Sequence, residues 1–316
     1  MWSAALDRIK RHGQWIILGL LLIVPVLGVN AYILHLLIMS FIFAVLTASW
    51  NLLFGFMGIY SFGHQAFFGL GAYVTGILVV KTGITPWFGL FLGGVGAALI
   101  SLLVSWPTFR LKGPYVAIVT LAFAEVLRIT CANWVDLTRG QLGLSVPGLF
   151  EGVNRLSYYY VVLIIFLGTW VMISRLIRSS LGLGTVAIRE SQEAAESIGV
   201  DVVKFKRLGF ILTSFIAGLA GAFYAHYIGI LTPDIMGTGI IFSMLVMGLF
   251  GGIGTLEGPV VGAFLLTFLS EYLRDLGNFR FLVYSLVIGF TVLFLPGGLV
   301  GGLKRLKVFS GRGVRP

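Results

Sequence analysis

One cysteine, Cys131, in 316 residues excludes any internal disulfide framework. Charge is scarce too: Asp, Glu, Lys and Arg make up 11% of the chain, and no stretch is long and polar enough to form a separate soluble domain. His12, His35, His64 and His226 are scattered without ligand spacing, and there is neither an HExxH pattern nor a cysteine pair, so no metal centre is expected. The GxxxxGK[ST] phosphate loop and the GxSxG nucleophile elbow are missing. Any ATP must therefore be bound by another chain, and no cofactor or catalytic role is expected for this one.

What the sequence has in quantity is apolar surface. It is 58% hydrophobic with a mean hydropathy of +1.00, and apolar runs long enough to cross about 30 Å of hydrocarbon follow one another along nearly its whole length. The 43 glycines lie within these runs rather than in linkers, as close helix packing in lipid requires. The expected fold is all-α: one polytopic membrane bundle over residues 1–316, with crossings near 14–29, 31–54, 59–80, 87–106, 114–133, 158–178, 208–230, 239–255, 258–276 and 280–300. If the break from Gly254 to Pro259 is re-entrant, and the short turn near Asn30 is no true loop, the count falls from ten to eight. The opening could also be read as a signal peptide, with Val29-Asn30-Ala31 a weak cleavage match. A first transmembrane helix with a basic flank explains the same letters.

Charge orients these crossings. With the N terminus inside, 16 of the 22 Lys and Arg residues fall on the cytoplasmic side, in the flank 1–13, the segment 179–207, the tail 301–316 and a few helix ends. Five fall outside (Lys81, Arg139, Arg155, Arg274, Arg280), and Arg128 lies within a helix. The positive-inside rule then places both termini in the cytoplasm, and the net charge of +10 reads as a topology signal rather than as nucleic-acid binding.

The one strongly hydrated stretch runs from Arg189 to Arg207, with eight charges in nineteen residues. On a helix advancing about 100° per residue, Ala187, Ile188, Ala194, Ala195 and Ile198 share an apolar arc, opposite Arg189, Glu190, Glu193 and Glu196. Gly199 follows as a natural stop. The polar face is mainly acidic, which anionic lipid would repel, so docking into a groove on another protein fits better than lying on the membrane. A solvated helix that merely packs under the bundle remains an alternative.

Three motifs sit in the apolar runs. Asn51 to Tyr73 holds five glycines, with Asn51, Ser61, His64 and Gln65 in need of polar partners, and this argues for a broken or tightly packed helix near a translocation pathway along Asn51, Gly58, Ser61, Gly63, His64 and Gln65. His64 by itself is more often a packed histidine than a ligand. Gly113-Pro114 starts a helix that carries Glu125 roughly 16 Å deep, with Arg128 one turn on, so a mutual ion pair or a polar cavity is implied. Gly254, Gly258 and Gly262 are spaced by four, the pattern of a close helix contact, and Pro259 interrupts it. Either a tight hairpin or a second broken element would fit.

"EAAESIG", through Glu193, Ala194, Ala195 and Gly199, resembles the EAAxxxG coupling-loop signature of ABC importer permeases, although the Leu-Pro expected further on is replaced by Ile211-Leu212. The Asn51–Tyr73 and Pro114–Arg128 patterns, the GGxGTxxGP stretch and the closing Pro296-Gly297-Gly298-Leu299 occur in the order found in the branched-chain amino acid type, the LivM-like permeases. That resemblance covers most of residues 50–300. It implies an inner-membrane importer in which this chain and a second, LivH-like permease form the pathway. Two ATP-binding subunits would dock on the segment 179–207, through Glu193, Ala194, Ala195, Ile198 and Gly199, and a soluble binding protein would deliver substrate outside. Some relatives of this type carry urea or short amides. An ion-coupled carrier working alone, with Glu125 and Arg128 as its coupling pair, is the reading from another class.

Overall fold

The computed structural model describes residues 28–108, 113–152, 154–274, 279–294 and 297–302, with positions 19, 21–23, 25 and 277 besides. More than half of the expected first crossing at 14–29, the whole flank 1–13 and nearly all of the tail 301–316 lie outside the described residues.

Helix α1 (Ala31–Asn51) starts where the Asn30 side chain accepts the Tyr32 N–H, and it runs into a π-helical turn, Leu52–Phe56. After an irregular stretch come α2 (His64–Thr82), ended by left-handed Gly83, and α3 (Pro86–Thr108). Helix α4 (Pro114–Asn133) begins at the proline because Gly113, at φ 58°, turns the chain and Pro114 has no N–H to satisfy. A single turn, α5 (Val135–Thr138), and strand β1 (Leu144–Ser145) lead to α6 (Arg155–Arg178). Two short helices follow, α7 (Ser180–Glu190) and α8 (Gln192–Ser197), and then α9 (Val202–Ile228), whose first turn is capped by Asp201. Strand β2 (Ile230–Leu231) pairs antiparallel with β1, Leu144 opposite Leu231, and ties the far end of α9 to the loop after α5. The chain continues through α10 (Thr238–Gly251), α11 (Gly258–Tyr272) and α12 (Phe279–Phe294).

Among the described residues six helices, α1 to α4, α6 and α9, are long and apolar enough to cross a membrane, α1 counted with its π-turn, and α10 and α11 are shorter apolar helices. An all-α polytopic membrane protein was expected and is found. Two of the irregular stretches, 57–63 and 252–257, fall where the sequence thickens in glycine.

The core is a seam of α2, α3 and α9 closed by small residues. A Cβ placed at Gly221 would lie 1.8 Å from Phe68 O, and one at Gly71 would lie 2.0 Å from Gly218 O. Backbones touch there because neither helix puts a side chain between them. Around the seam Trp50, Phe41, Phe67, Phe210, Phe223 and Tyr159 are fully buried. Buried polar groups pair across it: Thr75 Oγ1 lies 2.8 Å from His226 Nε2, and His226 Nδ1 lies 2.7 Å from Pro147 O.

Candidate functional site

The first break begins as the hydrogen bonding of α1 loosens. Met57 N donates to Leu52 O, five residues back, and Ile59 N to Leu53 O, six back, so the helix widens and then ends. Trp50 Nε1 reaches forward to Ser61 O at 2.9 Å and holds the irregular stretch against the helix it leaves. Ser49 Oγ lies 2.8 Å from His64 Nε2, and Phe62 N donates to Thr120 Oγ1 at 3.0 Å, which pins the same stretch to α4. Gly63 is pressed flat, since a Cβ there would sit 2.2 Å from Thr120 O.

The second break meets the first. Asn51 Nδ2 donates to Thr255 O at 2.9 Å, and Gly254 N donates to Asn51 Oδ1 at 2.9 Å, so one amide binds a donor and an acceptor of the distant loop. Gly258 and Gly262 do form a close helix contact, as the spacing suggested: a Cβ at Gly262 would lie 1.8 Å from Met247 O, and one at Gly251 1.8 Å from Gly258 O. The hairpin of α10 and α11 is thus tight, with Pro259 buried in the first turn of α11. Gly254 departs from the expectation. It lies in the loop at φ +71°, because the chain must reverse before α11 can start, and its contact is with Gly55 rather than with the helix face.

Below the two breaks sits the charged segment. The single amphipathic helix expected over 187–198 is two helices, because Ser191 is extended (φ −158°, ψ 113°) and its hydroxyl caps Ala194 N. The apolar arc is divided accordingly. Ile188 and Ala195 turn inward and cluster with Val202 and Phe205, whereas Ala194 is exposed and Ile198 is 75% exposed. Gly199 ends the segment at φ +84°. Lys206 Nζ donates to Gln192 Oε1 at 2.8 Å and so ties α8 to the first turns of α9.

Between this segment and the first break lies a cleft of about 310 Å³, lined among others by Gly58, Tyr60, Arg189, Gln192, Glu193 and Lys206. Of the six residues expected along the pathway, Gly58 lines the cleft, while Asn51, Ser61, Gly63, His64 and Gln65 are buried in the packing around it. The break therefore lies at the end of the bundle that carries α7 and α8, not at mid-span. Sequence reasoning counted Arg189 only as a charge, yet its Nη1 donates to Gly55 O at 2.6 Å. The contact spans 134 positions, and no local pattern announces it.

Glu125 and Arg128 pair as the one-turn spacing implied, with Arg128 Nε 3.0 Å from Glu125 Oε2. Of the two arrangements offered for them, the ion pair is found, on the outer side of α4. Their side chains are 26% exposed for Arg128 and 43% for Glu125, on a helix whose other outward residues include Tyr115, Ile118, Val126 and Ile129.

A bundle of membrane-length helices, interrupted by two clamped breaks above an exposed charged segment, defines a multi-pass membrane transport subunit of the permease kind. Residues 32–296 match the family described as branched-chain amino acid transport system / permease component, and the chain belongs to that family as a LivM-like member. It is 29% identical over 304 residues to the high-affinity branched-chain amino acid transport system permease protein LivM of Salmonella typhimurium, covering 87% of this chain and 71% of that one. The LivH permease of the same organism is 23% identical over 84% of this chain and 93% of its own length. A probable LivM of Methanocaldococcus jannaschii is 24% identical over 85% and 88%. No solved structure matches the chain.

Proposed function

We propose that this protein is one half of the translocation pathway of an ABC importer for branched-chain amino acids, with ten crossings and both termini in the cytoplasm. A LivH-like permease supplies the other half, two ATP-binding subunits dock on α8 and the turn after it, and a soluble binding protein delivers substrate outside. One observation carries the reading: an exposed acidic helix, with Glu193, Glu196 and Ile198 outward, sits directly beside two helix breaks clamped by Asn51. A docking surface for a moving partner and the irregular backbone of a pathway are thereby within one side chain of each other.

The outward face of α4 belongs on the side of the second permease. An ion pair at membrane depth is disfavoured against lipid, so Glu125 and Arg128 call for a protein or aqueous neighbour. Purification of the tagged chain from its native membrane tests the reading. The ATP-binding subunit and a second permease are expected to come with it, and Glu193→Lys is expected to lose the former while keeping the latter. Recovery of the chain alone from both preparations would favour an autonomous carrier.

A further inference from the structure

We propose that Arg189 is a positioning residue that passes the movement of the docking helix α8 to the two breaks at once. The inference rests on the functional reading above and adds to it the side chain through which coupling runs.

Arg189 stands in the last turn of α7, two residues before Ser191, at which the chain kinks into α8. A push on α8 therefore acts on it through the short bend at Ser191. Its guanidinium donates to Gly55 O inside the π-turn, at 2.6 Å. Carbonyls at the end of a helix lack intrahelical donors and carry partial negative charge, so a cation is well placed there.

The surroundings are shaped to this side chain. A Cβ at Gly58, which is at φ +67°, would lie 3.2 Å from Arg189 Cγ, so the arginine stem lies against bare backbone. On the other side a Cβ at Gly254 would lie 3.3 Å from Arg189 Nη1 and 3.3 Å from Gly55 O. Gly254 is itself held to α1 by the Asn51 amide. The guanidinium, the first break and the second break thus form one contiguous block. A displacement of Arg189 is felt by both breaks, because Asn51 keeps Gly254 and Gly55 in register. Lysine would keep the charge without the planar array of donors, and alanine would lose both.

A purely structural arginine would stabilise the helix end and nothing more, and a stoichiometry separates the two roles. The complete complex is reconstituted in proteoliposomes, and ATP hydrolysis and uptake of radiolabelled leucine are measured together. For Arg189→Ala, the ATP-binding subunits are expected to stay bound and hydrolysis to stay within about twofold. Leucine imported per ATP should fall about tenfold, the scale of one charged hydrogen bond. Arg189→Lys should fall between this variant and the wild type. Unchanged uptake per ATP in Arg189→Ala would overturn the proposal. So would a parallel fall of hydrolysis and uptake, or loss of the ATP-binding subunits, since either makes Arg189 a folding or docking residue. Failure of the underlying reading looks different: the wild-type chain would then come without ATP-binding subunits, and the role of Arg189 would fall with it.

Discussion

Helices α2 and α4 are both membrane-length and apolar, but 67% of the most apolar stretch of α2 is buried against 17% in α4. The two differ in glycine content. Gly71 lets α2 come within backbone contact of α9, Gly69 and Gly76 leave room for the side chains of Met236 and Val146, and Thr75 pairs there with His226. From Pro114 to Asn133 α4 contains no glycine, and Ile118, Val126 and Ile129 keep its outer face away from the rest of the chain. In a membrane, burial follows from small residues more than from apolarity, because lipid is as good a neighbour as leucine. The charged pair on the open helix then marks a surface meant for something other than lipid.

The largest effect should come from spoiling the closed seam. Gly221→Leu puts a side chain where Phe68 O lies 1.8 Å from the Cβ position, and is expected to cost about 3 kcal/mol, the upper end for an overpacked core. Gly168→Leu on α6, where nothing lies within 4 Å of the Cβ position, should stay within about 0.5 kcal/mol. Thermal unfolding of the purified chain in detergent compares them. Equal melting of the two variants would mean that the α2–α9 contact is looser than described.

On the open helix the effect should appear in assembly. Glu125→Gln strands the Arg128 cation, and co-purification of the second permease should drop about tenfold, within the cost of an unpaired charge at membrane depth. Adding Arg128→Gln should restore part of that loss, and the coupling between the two is the quantity a double-mutant cycle reads. The chain alone should melt almost as before, its half-exposed pair contributing about 1 kcal/mol or less. A large loss in the chain alone, with assembly intact, would return the pair to the folding of this subunit. A geometric companion uses a Cys131→Ser background: Ile129→Cys should cross-link to the second permease, and Leu103→Cys, 75% exposed on α3, should not.

Much of this was legible from local rules. Gly113-Pro114 named the start of α4, Gly199 the end of α8, and the spacing of Glu125 and Arg128 their pairing, because each depends on neighbours within one turn. The clamp of Asn51 on Gly254 was not, since its partners stand 203 positions apart and any polar residue in an apolar run asks for some partner without naming it. Gly254 was placed on a helix face because spacing by four is the same whether the glycine packs or turns. The division of the charged segment at Ser191 was hidden for another reason: its residues satisfy an amphipathic wheel well, and the break shows only as a serine able to cap the next helix.

That serine gives the smallest and most local test. Ser191→Ala removes the acceptor of the Ala194 N–H, and losing such a cap costs about 1 kcal/mol. If α8 is a separate helix, the cost falls on it alone, and hydrogen exchange should quicken at Ala194 and its neighbours while α7 stays protected. Transport should fall less than twofold, because Arg189 and its bond to Gly55 lie on the other side of the bend. Exchange that quickens through α7 and α8 together would mean that the segment behaves as one continuous helix. Arg189 would then move with the docking surface as a rigid arm, without the bend at Ser191 between them.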